Sequence, residues 1–387
     1  MNDKNFIEEL KQKREEYGAT QTRLGNAERT REKKKKANAL KKAENRQNEI
    51  DCLFAKMYED KRNPIGQGYI DFDRFFEYIN KIGYKENFMK KILVTGGTTF
   101  VSKYVAEYFV NAGYEVFVLN RNSKPQVQGV KLIEGDRHNL NGVLKDTFFD
   151  VVADITAYND KDIIDFVKEL GSFDKYIMIS SSAVYPEYGV QPFLEESEKS
   201  ENKFWGVYGT NKIAAEKALL ERVKDAYILR PPYLYGPMNN VYREAFVFDC
   251  ALADRKFYLP QDGSMKLQFF HVKDLCRLME TIIKENPKEH ILNVGNAEAV
   301  SIKDWVTKCY ESLGKIPEFV NVYEEVEQRN YFSFYNYEYY LDVSRQNKIY
   351  PETISLEDGL RDSLKWYLEH STEVNKKPYI EYILEFL

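Results

Sequence analysis

The sequence predicts an α/β protein: a doubly wound parallel sheet, a smaller C-terminal domain closing over one edge of it, and a helical extension in front. Three observations carry this. From Met89 onward short β-rich runs alternate with helical stretches, the pattern of a parallel sheet wound with crossover helices. The first of these runs opens onto a glycine-bearing turn and an apolar helix, "KKILVTGGTTFVSKYVAEYF". Beyond Pro237 the alternation gives way to irregular chain with helical stretches around 241–254, 272–285 and 301–313. The expected domains are therefore 1–88, a helical and partly disordered extension; 89–236, the parallel sheet; and 237–387, mainly a substrate-gripping domain partly interleaved with that sheet.

Residues 1–88 differ in charge as well as texture. They hold 20 Lys and Arg against 16 Asp and Glu, a net of +4 that leaves −9 for the rest of a chain whose total is −5. Residues 28–60 are free of Pro and Gly, and Leu40, Ala43, Ile50, Phe54 and Met57 fall near a three-four spacing broken by Gln47. That spacing predicts a helix with a weak coiled-coil seam. The run "REKKKK" at 31–36 fits either a solvated helix face or a phosphate-backbone contact. "EIDCLFAKMYEDK" and "DFDRFFEYI" resemble, over some forty residues, the helical tail of large serine recombinases from mobile elements. "MKKILVTGG" has the form of a bacterial N-terminus, and Lys85-Glu86 admits the codons AAG-GAG, a ribosome-binding sequence two codons ahead of Met89. The expectation is a mobile-element fragment joined in frame to an enzyme whose own start is Met89, by real fusion or by a start codon assigned too early. The rival is a working arm that binds nucleic acid or a partner.

Strands are expected at "KKILVTG", "YEVFVLN", "VKLIEGD", "FDVVADIT", "KYIMISSS" and "AYILRPP". No apolar run reaches the length of a membrane span or signal peptide, so the expected location is the cytoplasm. Cys52, Cys250, Cys276 and Cys309 lie far apart without a C-x-x-C pair, which suggests small core residues and neither disulfides nor zinc. The four histidines show no H-x-x-x-H spacing, and no metal is expected.

Chemistry concentrates at four places. At the first turn Gly96 and Gly97 can supply close backbone approach to a pyrophosphate at the helix N-terminus, with Thr98, Thr99 and Phe100 completing the loop. Thr99 and Ser102 stand where such loops commonly have further glycines. The second strand ends in Asn120-Arg121, lacking the acid that holds ribose hydroxyls in an NAD site. Arg121 suits a 2′-phosphate and therefore NADP over NAD, though it equally fits a solvated surface residue. Asp136 closes the third strand, where it can accept from an adenine amino group. Tyr208 and Lys212, four apart, share one helix face, and an ammonium beside a phenol favours the phenolate. Ser181, at the end of "YIMISSSAVYP", can reach the same substrate oxygen.

The order "VTGGTTF", "EGD", "SSSAVYP", "YGTNK", "ILRPPYLYGP" and "FFHVKDL" resembles the extended short-chain dehydrogenase/reductases, the NAD-dependent epimerase/dehydratase group, over nearly all of 89–387. The resemblance implies an NAD(P)-binding Rossmann fold and a Ser181–Tyr208–Lys212 triad. It makes Tyr208 the acid/base, gives Lys212 the nicotinamide ribose, and passes hydride between cofactor and substrate. It also implies a sugar, sugar nucleotide or similar small alcohol as substrate, and a homodimer packed through the Tyr208 helix and its neighbour. Three features depart from the group. "GGTTFVS" is similar to the altered loop of atypical members, some known as chloroplast stem-loop RNA-binding proteins; "DKDIIDFVKEL" lacks the usual asparagine; and Gln268 stands where sugar-nucleotide enzymes commonly have a diphosphate-binding arginine. An RNA-binding role is the alternative function. The aromatic run "NYFSFYNYEYYLD" is expected in core or domain-interface packing.

Overall fold

The computed structural model describes residues 90–387. The expectations placed on 1–89, including the 28–60 helix, the 31–36 lysine run, Cys52 and a start at Met89, lie outside the described residues.

Seven parallel strands form the central sheet. In chain order the elements are β1 (Lys91–Thr95), α1 (Phe100–Asn111), β2 (Glu115–Asn120), β3 (Lys131–Glu134), β4 (Phe149–Asp154), α2 (Asp160–Glu169), β5 (Phe173–Ile179), α3 (Val207–Arg222) and β6 (Tyr227–Arg230). Then come β7 (Tyr233–Tyr235), α4 (Glu244–Leu252), β8 (Phe257–Pro260), β9 (Lys266–Leu267), β10 (Phe269–His271), α5 (Val272–Glu285), β11 (Ile291–Asn293), β12 (Val300–Ser301), α6 (Ile302–Glu311) and β13 (Phe319–Val322). Helices α7 (Ser344–Ile349), α8 (Leu356–His370) and α9 (Tyr379–Phe386) close the chain. All six expected strands are present. The sheet order is β11-β6-β5-β4-β1-β2-β3, so the winding reverses between β1 and β4, where a doubly wound sheet opens its ligand crevice. The seventh strand, β11, was not foreseen. Its three residues are too few to show a period, and it exists by pairing with β6, Leu292 opposite Leu229.

Alternation along the central strands assigns their two faces. Ile92, Val94, Val116, Val118, Val151 and Ala153 pack with Val105 and Phe109 of α1 and Leu275, Met279 and Ile282 of α5. Leu93, Leu119, Val152, Tyr176 and Met178 pack on the other side with Ile163 and Phe166 of α2 and Ala215 and Leu219 of α3. Strands covered on both faces read as continuous apolar runs, and "ILV" of β1 and "VVA" of β4 do so over their central residues.

A third core gathers α4, α6, α8, α9 and the aromatic run. Tyr331, Phe332, Phe334 and Tyr339 are buried in it, the packing role expected of that run. The three described cysteines are free and buried, as expected of core residues. No helix of the described residues is long and apolar enough to cross a membrane. Among them no group of His, Cys, Asp or Glu could hold a metal ion.

Candidate active site

β1 ends at Thr95, and the chain turns through Gly96 (φ +90°) and Gly97 (φ +95°) into α1. Both values lie where only glycine is unstrained. A Cβ on Gly96 would stand 2.8 Å from Ser102 Oγ, so Ser102 occupies the space against the turn that a further glycine would leave. A Cβ on Gly97 would stand 2.7 Å from Val118 of β2. The side of Gly97 that a Cβ would occupy is therefore packed against β2. Gly96, Thr98, Thr99 and Phe100 line the cleft.

Two joined cavities run from this turn, both lined by Gly96, Thr98, Thr99, Thr156 and Tyr158. The first, about 430 Å³, holds Asn120, Arg121 and Asp136. The Asn120 amide donates to Gly96 O at 2.7 Å and to Gln126 Oε1 at 3.0 Å, while its Oδ1 accepts from Asn122 N. Asn120 thus ties the glycine turn to the loop after β2, a constraint that its place at the end of a strand did not reveal. Lys124, which sequence reasoning passed over, lines the same cavity and donates to Thr99 Oγ1 at 3.2 Å. Asp136 is exposed and accepts from His138 N within its own turn.

The floor of this half is polar and buried. Arg137 Nη2 meets Asp154 Oδ2 at 2.8 Å, Tyr176 donates to the same oxygen at 2.6 Å, and Thr95 donates to Oδ1 at 2.7 Å. Burial works against the Asp154 charge, but the Arg137 cation and these three hydrogen-bond donors outweigh it and hold the carboxyl below its ordinary range.

The second cavity, about 560 Å³, brings Ser181, Tyr208 and Lys212 together beside the turn. Ser181 leads off β5, its Oγ accepting from Ala183 N at 3.1 Å to cap a short 3₁₀ turn. Tyr208 sits in the first turn of α3 and remains 37% exposed on the rim. Burial of the ring raises its pKa and Ser181 opposes this by hydrogen bonding. The phenol is therefore protonated at neutral pH. The lowering expected from Lys212 is absent because that ammonium lies 6.0 Å from the ring centroid and donates instead to Ala157 O (2.7 Å) and Ile179 O (2.9 Å). Lys212 is 2% exposed, and burial brings its pKa down to about 8 despite Asp154 and Glu216 nearby. Trp205, Tyr233, Tyr339 and Arg243 complete the wall. None of these four was assigned to the site from the sequence, and Tyr233, Tyr339 and Arg243 come from segments distant from Tyr208 along the chain.

Gln268 is buried, its amide donating to Asn296 O and Leu341 O and accepting from Leu341 N. Both of its ends are committed within the fold.

The chain is similar to several known proteins. It is 26% identical over 303 residues to the chloroplast stem-loop binding protein of 41 kDa b of Arabidopsis thaliana, covering 71% of this chain and 78% of that protein. It is 24% identical over 323 residues to the probable GDP-L-fucose synthase 1 of rice, covering 74% and 94%. Among solved structures, the Bordetella bronchiseptica enzyme WbmG in complex with NAD superposes with a TM-score of 0.60 at 16% identity, over 76% of this chain and 98% of that one. The dTDP-glucose 4,6-dehydratase of Bacillus anthracis in complex with NAD gives 0.58 at 18%, over 74% and 98%. These structures share the fold. The family model matches residues 92–295, more than half of the chain and all of the parallel sheet but Lys91. With the reversal between β1 and β4, the glycine turn and the Ser181–Tyr208–Lys212 cluster in place, the chain belongs to the NAD dependent epimerase/dehydratase family.

Proposed function

We propose that this protein is an NAD(P)-dependent epimerase, dehydratase or reductase acting on a sugar, nucleotide sugar or similar small alcohol or carbonyl compound. The observation that carries the reading is the meeting of Ser181, Tyr208 and Lys212 in one cavity that opens onto the glycine turn at the switch point. The cradle fits a dinucleotide: Gly96 leaves no room for a Cβ, α1 starts at Phe100 facing the cleft, and the first cavity continues from the turn toward Asn120, Arg121 and Asp136. When bound, the nicotinamide supplies hydride exchange. The chain supplies the proton chemistry. A protonated Tyr208 donates to a substrate carbonyl oxygen in the reductive direction and takes the proton back in the oxidative one, with Ser181 hydrogen-bonded to the same oxygen. Lys212, beneath them, places a positive charge at the cofactor ribose. The aromatic wall of Trp205, Tyr233 and Tyr339 keeps water from the reacting carbon. Arg121 and Lys124 in the first cavity favour NADP over NAD.

Titration with each nucleotide tests this directly: saturable binding is expected, tighter for NADP, and no binding of either refutes the reading. Tyr208→Phe is expected to abolish turnover, by about 10²-fold or more, with cofactor affinity nearly unchanged. In the same reading the protein is a homodimer through α2 and α3, checked by light scattering at micromolar concentration. RNA binding, the alternative, is supported by the altered loop "GGTTFVS" and by the similarity to the chloroplast stem-loop binding protein. The cavity geometry favours the enzyme.

A further inference from the structure

The cavity that holds Tyr208 has a charge pattern that proton and hydride transfer do not require. Only two of its lining residues are charged at neutral pH, Lys212 and Arg243, and no Asp or Glu lines it, in a chain of net charge −5. Lys212 is satisfied by two carbonyls. Arg243 is held by other means. Its guanidinium lies 4.7 Å over the Tyr233 ring and 5.9 Å from that of Phe334, and one nitrogen makes a long 3.3 Å bond to Leu234 O. Among the described residues it enters no ion pair within 4.0 Å. A guanidinium has five N–H donors, and stacking on a ring fixes its plane while leaving the in-plane donors available for a bidentate acceptor. Its charge reaches the reacting end of the cavity, where it opposes the upward shift of the Tyr208 phenol. The committed amide of Gln268 offers no competing anion site.

Resting on the reading above, we propose that Arg243 binds an anionic group of the substrate, a carboxylate or phosphate, and that the substrate is a small hydroxylated acid or phosphate ester seated on Tyr233 and Trp205 and not a nucleoside-diphosphate sugar.

The test is calorimetric titration of the full chain, saturated with NAD(P), against four probes: glucose, glucuronate, glucose 6-phosphate and UDP-glucose. Glucuronate or glucose 6-phosphate is expected to bind at least about tenfold tighter than glucose, with UDP-glucose no tighter than the better of the two. Which of the two is better tells carboxylate from phosphate. Arg243→Gln is expected to erase the preference and Arg243→Lys to keep part of it, both with unchanged thermal midpoint and NAD(P) affinity. The proposal is overturned by equal binding of neutral and anionic probes, by no binding of any probe, by a UDP-glucose preference that survives Arg243→Gln, or by an Arg243→Gln variant that loses cofactor instead. Failure of the wild-type chain to bind NAD(P) would refute the enzyme reading itself.

Discussion

At Gly209 the first turn of α3 lies so close to the turn after Ser181 that a Cβ would stand 2.4 Å from the carbonyl oxygen of Ala183. That close approach lets Tyr208, the preceding residue, share a cavity with Ser181. Gly209→Ala is expected to push the helix away, costing about 1–3 kcal/mol of stability and lowering kcat by about 10²-fold through misplacement of the phenol. Denaturant unfolding and turnover, measured together, check both. Lys212 invites a second prediction. Its folded-state pKa, about 8, lies below the ordinary 10.5. Between these values the unfolded chain binds the proton more than the folded one, so stability rises with pH across that window. Urea unfolding at pH 7.5 and 9.5 should show a rise of about 2 kcal/mol that is missing in Lys212→Met.

Among the elements, α3 is anchored from its buried side. Glu216, one turn beyond Lys212, receives Arg230 of β6 through two bonds of 2.9 and 2.6 Å and Ser180 Oγ at 2.6 Å. Arg230 also donates to Tyr185 Oη and Glu195 O. This network joins the helix of Tyr208 to the strand that ends beside Ser181. Because both charges are buried, Glu216→Gln leaves a guanidinium without its counter-charge and is expected to cost about 3–5 kcal/mol, read as a lower denaturation midpoint. The β4 terminus behaves analogously toward acid. Asp154 has a folded-state pKa held below its ordinary 3.8, so its contribution is complete above that value and is lost as the pH falls through the lower, folded-state one. Asp154→Asn should flatten that part of the acid unfolding curve.

At the scale of the molecule, all seven strands of the sheet and all three hydrophobic cores are drawn from residues 91–383. The described residues thus supply the sheet and the apolar cores on both of its faces. A chain of residues 89–387 alone is expected to unfold at the same temperature as the full chain and to bind NAD(P) equally well. An unfolded or non-binding product would show that the first 88 residues are part of the working protein.

Local pattern by itself determined the order of strands and helices, because a two-residue period or a run of β-branched residues is a property of neighbours along the chain, as in "KKILVTG" and "YEVFVLN". The glycine turn and the Tyr208–Lys212 pair were legible for the same reason. Each lies within a few residues of sequence, and helix geometry alone puts residues four apart on one face. Distant partners were not legible. The three-residue β11 is a strand only because β6 lies beside it, and Gly97 packs on Val118, a residue of the neighbouring strand. Asn120 turned inward to Gly96, and Lys212 found two carbonyls in place of a phenol. Arg243 reached the cavity of Tyr208 from a loop 35 residues further along. Burial and through-space charge decide such matters, and both depend on which segments fold against each other, a quantity that no local spacing contains.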